Sequence, residues 1–128
     1  MLKVYIDAAV NEVRSAGGLL VVEAGKQVQK QLELQSLDNH EAEFEMLIYA
    51  LKWLLAEQKQ TENIFIYTDS KAVVLAIDKN YSKNPRLLPY LDQFNQLTTQ
   101  FHLLLIEWIP EAKNKGADTL AKKKLRRY

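Results

Sequence analysis

Two apolar runs in this chain end on a carboxylate: "KVYIDAAV" carries Asp7 and "IFIYTDSKAVV" carries Asp69. A third acid, Glu43, shares a helical stripe with Leu47, Ala50 and Leu54, because positions three and four apart stack on one helix face. An ionised carboxylate on an apolar stripe is costly unless something positive meets it. Glu41 and Glu45 read as its solvated neighbours. A fourth acid, Asp118, follows Asn114 by four residues and precedes Ala121 by three, on or beside a packing face. Taken singly, Glu43 and Asp118 are ordinary first-turn acids, favoured there by the helix dipole. As a set, the four point to chemistry. Acids without a partnered histidine or cysteine make a poor protease and a poor zinc site. They suit a hard cation such as Mg²⁺, which takes oxygen ligands and keeps waters. Two such ions about 4 Å apart activate a water and stabilise the leaving oxygen of a phosphodiester.

The elements that must position these acids are legible in the apolar periods. Residues 2–7 alternate as a strand, with Leu2, Val4 and Ile6 on one side. Gly17-Gly18 open a second run, Gly25-Lys26 form a turn, and "QVQKQLELQS" alternates as a half-exposed third strand. Asp38-Asn39 break the chain, and residues 41–58 take a helical period. Residues 64–68 are a fourth strand. Ser70 is a plausible cap for the helix that follows. Asn84-Pro85 mark a loop, 86–100 read as a helix, and 103–109 as a fifth strand stopped by Pro110. Asn114 is placed to cap a last helix reaching Leu125. The order βββ-α-β-α-α-β-α predicts an α/β fold: a five-stranded mixed sheet with helices on both faces. Strands 1 and 4 should lie side by side, so that Asp7 and Asp69 meet beyond their carboxyl ends, where ligands bind in such sheets.

Bulk properties narrow the class. The chain has 128 residues, 48% apolar and 26% charged, which suits one domain, 1–128, with a sizeable core. It has no cysteine, hence no disulfide framework and no thiolate metal site. No apolar run nears the ~20 residues of a membrane span. A cytoplasmic soluble protein, monomeric by default, is expected. Net charge is +1, yet residues 113–128 hold seven cations and one acid. That segment is either a solvated helix end or a phosphate-contacting tail.

These residues carry a family resemblance that runs nearly end to end. "YIDAAV" resembles the first-strand "YTDG" segment of the ribonuclease HI (type 1 RNase H) family. "NHEAEFEMLIYAL" is similar to "NNxAEYxAL" and selects Glu43. "YTDSKAVV" resembles "TDSxxVV" and assigns Asp69. "WIPEAKNKGADTLA" resembles "VPRxxNxxADxLA" and assigns Asp118. The resemblance implies an RNase H-like fold and a Mg²⁺- or Mn²⁺-dependent endonuclease that cuts the RNA strand of RNA/DNA hybrids. It implies two ions with substrate bound, no organic cofactor, and products with 5′-phosphate and 3′-hydroxyl ends. Asp7 would bridge the ions, Glu43 and Asp69 bind one, and Asp118 hold the other. Asn39 and His40 stand where the family has two asparagines and are candidate nucleic-acid contacts, as are Ser70 and Asn114; capping explains Asn39, Ser70 and Asn114 equally well.

The pattern departs in three places. "DAAVNEVRSAGG" replaces the family's Gly after the first aspartate and its Gly-Asn-Pro-Gly loop, close to where RNA is told from DNA by its 2′-hydroxyls. No histidine lies in residues 110–118, where many members carry a mobile one. Only a short loop spans residues 80–86, so the basic protrusion of some members is missing. The rival reading is therefore a catalytically weak or silent nucleic-acid-binding module of the same fold. A phospho-acceptor signalling domain also places an Asp at a strand end, but three initial antiparallel strands argue against its parallel sheet. His102, Trp53 and Trp108 are expected to be structural or at the rim.

Overall fold

The computed structural model describes residues 1–128. Strands β1 (Leu2–Val10), β2 (Ser15–Glu23) and β3 (Lys26–Leu34) form an antiparallel meander. Its second turn puts Ala24 and Gly25 at φ 50° and 79°, the left-handed region that glycine enters freely. Helix α1 (Asn39–Ala56) leads to β4 (Asn63–Thr68), which pairs parallel with β1. Then follow α2 (Lys71–Lys79), a 3-10 turn at Pro85–Leu87, α3 (Leu88–Thr98), β5 (Leu103–Trp108), a second 3-10 turn at Glu111–Lys113, and α4 (Lys115–Arg126). The sheet order is β3-β2-β1-β4-β5. The expected element order is borne out, with the mixed sheet and its helices on both faces.

Two adjacent glycines show how the layers are arranged. A Cβ on Gly17 would strike Met46 of α1, and one on Gly18 would strike the Ala117 carbonyl and the Ala121 amide of α4. Successive strand residues point to opposite faces, so α1 and α4 cover opposite sides of the sheet. The α1 side holds the main core. Leu2, Val4, Ile6, Ile64 and Ile66 meet Phe44, Leu47, Leu51 and Leu54, all fully buried.

Boundaries differ from expectation where tertiary pairing decides them. β1 continues to Val10 because its hairpin with β2 runs on to Val10↔Ser15, whereas its parallel pairing with β4 stops at Tyr5↔Tyr67. Asp7 therefore lies inside β1, at the point where the parallel ladder ends, and not at the strand terminus. Asp38, rather than Asn39, caps α1, accepting from the Glu41 amide at 3.0 Å. Ser70 caps α2 through the Val73 amide, as expected. Asn114 occupies the cap position of α4 but makes no side-chain cap bond.

Candidate metal centre

Each acid is delivered by a regular element. Asp7 sits on the central strand and is 4% exposed; its Oδ1 accepts from the Ala8 amide at 2.9 Å. Asp69 follows the last residue of β4, beside it. Its main-chain oxygen accepts from Trp108 Nε1 at 3.2 Å. Glu43 projects from the first turns of α1, just before the buried run of that helix. Asp118 is in the first turn of α4, brought across the sheet by the contact of that helix with Gly18, the register partner of Asp7.

Carboxylate oxygens of Asp7, Glu43 and Asp69 lie within 4.8 Å of one another. Asp118 lines the same open cavity of about 350 Å³ but stands outside that mutual group. Glu43 Oε2 is buried with no hydrogen-bond partner. Burial, reinforced by the charge of Asp69 and by Asp118, pushes Asp7 up to about 8. Burial and then the charges of Asp7 and Asp69 push Glu43 up to about 10. Asp69 is also raised, chiefly by burial, with Asn114 opposing. Without a cation, then, the cluster holds protons that a cation would replace. An all-oxygen donor set and a buried, unpartnered carboxylate oxygen fit a hard divalent ion.

The other expected residues divide. Asn39, His40 and Ser70 line an adjoining cavity of about 530 Å³ together with Glu43, Asp69, Lys71 and Trp108. Asn114 is buried, and its Nδ2 donates to the Ile6 carbonyl at 2.8 Å and to Asp69 Oδ2 at 3.4 Å. It ties the start of α4 to β1 and steadies Asp69 from inside the fold. Two residues at the site, Glu111 and Lys71, escaped the sequence reading, and a third, Lys122, was read only as part of the basic segment 113–128. Glu111 faces both cavities, from the place where the resembling pattern has arginine. Lys71 lies over the Trp108 ring at 5.1 Å, a cation–π pair at the rim. Lys122 reaches Asp118 at 3.1 Å; its four-residue spacing from Asp118 was the available signal.

Residues 6–124 match the profile of a family described as reverse transcriptase-like. The chain belongs to that family. Over its whole length it is 43% identical to a protein of Enterococcus faecalis (strain ATCC 700802 / V583) named "Putative hydrolase EbsB", covering 96% of it. The RNase H1 of the halophilic archaeon Halobacterium salinarum NRC-1 superposes with a TM-score of 0.87 at 26% identity, over 99% of this chain and 98% of that one. LC11-RNase H1, solved in complex with an RNA/DNA hybrid, superposes with a TM-score of 0.84 at 21% identity, over 96% and 95% of the two chains. That last likeness is one of fold. The five-stranded order is the RNase H fold, as the sequence led us to expect.

Proposed function

We propose that this RNase H-like protein is a divalent-metal-dependent endoribonuclease that hydrolyses the RNA strand of RNA/DNA hybrids by a two-metal mechanism, in the cytoplasm. The observation that carries the reading is the convergence of Asp7, Glu43 and Asp69 within 4.8 Å, with Glu43 Oε2 buried and unpartnered beside them. When bound, Mg²⁺ or Mn²⁺ supplies an activated water and neutralises the leaving oxygen.

The chain's own residues supply position. Asp7, Glu43 and Asp69 hold the ion from a strand, a helix and a strand end, elements stiffer than loops. Asp118 holds the second position from α4. Asn114 orients Asp69. Asn39, His40 and Ser70, with Lys71 and Trp108 beside them, take the hybrid: Lys71 meets phosphate and the polar groups meet sugar or base edges.

The test is cleavage of a labelled RNA/DNA hybrid at low salt in Mg²⁺ and in Mn²⁺, with single-stranded RNA, duplex RNA, duplex DNA and Asp69→Asn protein alongside. Hybrid-only cutting that disappears in Asp69→Asn supports the reading; equal cutting by the variant sinks it. A second reading, a hybrid-binding module without turnover, draws on the loop at 11–14. There Asn11 Oδ1 accepts from the Val13 and Arg14 amides, both at 2.9 Å, closing a tight turn in place of the family's glycines. Hybrid binding without cutting would favour that module.

A further inference from the structure

Asp118 is the only acid of the centre held in an ion pair. Its Oδ2 meets Lys122 Nζ at 3.1 Å, with the lysine side chain half exposed and the aspartate 22% exposed. It is also the acid that stands outside the three-carboxylate group. Asp118 keeps a side-chain contact with Asp7, while its cation partner lies one turn along its own helix. Acid before lysine at this spacing is the favoured order. Lys122 also lines the cavity shared by Asp7, Glu43, Asp69 and Glu111.

We propose that Lys122 is a resident counter-ion that makes the two cation positions unequal. The position framed by Asp7, Glu43 and Asp69 loads first, and the position that needs Asp118 loads only as Lys122 lets go. The proposal rests on the metal-dependent reading above. Lys122 acts through Asp118, as a positioning residue. Its ammonium is a compact charge on a flexible stem, already half in solvent, so release requires no movement of the backbone. A guanidinium at the same place would grip the carboxylate with two donors and release it less readily.

The experiment is calorimetric titration with Mn²⁺, without substrate, of wild type, Lys122→Met, Lys122→Arg and Asp118→Asn. Wild type should show a tight and a weak step. Lys122→Met, which keeps the stem and removes the charge, should leave the tight step alone and strengthen the weak one about three- to tenfold, the scale of losing one partly screened like charge. Lys122→Arg should keep the weak step weak. Asp118→Asn should abolish it. A weak step unchanged or weakened in Lys122→Met, or a single step in all four proteins, overturns the proposal and leaves the metal centre standing. No Mn²⁺ binding in any of them strikes the metal reading itself, and this proposal with it. Thermal melts of each variant confirm that the proteins compared are folded.

Discussion

Residue by residue, the four acids differ in what they lose on substitution. Asp7→Asn and Asp69→Asn keep shape and remove a ligand charge, and hybrid cleavage should fall by more than about 10²-fold, at least what loss of an outer-shell partner costs a metal site. A steady-state assay at saturating Mg²⁺ reads this out. Asp7 and Glu43 also make stability depend on pH. Their folded pKa values, about 8 and about 10, stand above the ordinary 3.8 and 4.5. The folded state thus binds more protons than the unfolded one. The stability this confers is full below about pH 4 and is lost as pH rises through the folded values. In chelator, stability should fall from pH 5 to pH 9, by at most about 1.4 kcal/mol per pH unit for each proton released, and the melting temperature should fall with it. Asp7→Asn should flatten that slope, and Mg²⁺ should stabilise wild type more at pH 8 than at pH 5. Thermal melts across pH, with and without metal, check all three expectations. Asp7 and Asp69 stood out because each interrupts an apolar run, and Glu43 and Asp118 were singled out by the family resemblance; the structure groups Asp7, Glu43 and Asp69. The rank among them was not legible. That Asp118 pairs with Lys122, and that Asn114 faces inward to Ile6, depend on how α4 crosses the sheet.

At the level of elements, the centre depends on a contact with no chemistry of its own. Gly18 lets α4 lie directly on β2, opposite Asp7. In Gly18→Ala the new methyl group would meet main-chain atoms of Ala117 and Ala121, which cannot swing aside. Overpacking of this kind costs about 1–3 kcal/mol. The variant should melt several degrees lower and should lose cleavage by more than its unfolded fraction explains, because Asp118 moves with the helix. Circular dichroism melts and kcat measured well below the transition separate the two effects. The strands and helices themselves were legible from periods of two and 3.6 residues. Their ends were not: β1 outruns its apolar alternation because β2 keeps pairing with it to Ser15. The pair Gly17-Gly18 could be read as a strand opening, but its two-sided packing required knowing which helices arrive.

For the molecule as a whole, charge is nearly balanced at +1, so attraction for a polyanion must come from local cations. Lys71 flanks the centre, and Lys79 and Lys83 line a neighbouring pocket with His40. Two or three phosphate contacts imply that hybrid affinity falls about ten- to fortyfold between 50 and 200 mM salt. Fluorescence anisotropy in Ca²⁺ measures this, and a flat response would mean that these lysines do not meet the backbone. The acids arise at positions 7, 43, 69 and 118, and the last belongs to the helix that closes the sheet's second face. Synthesis proceeds from the N-terminus, so α4, which carries Asp118, emerges after the other elements of this fold. A chain that has emerged only as far as α1 cannot clip Asn114 onto Ile6 or seat α4 on Gly18. The candidate metal centre would thus stay incomplete until α4 has met β1 and β2.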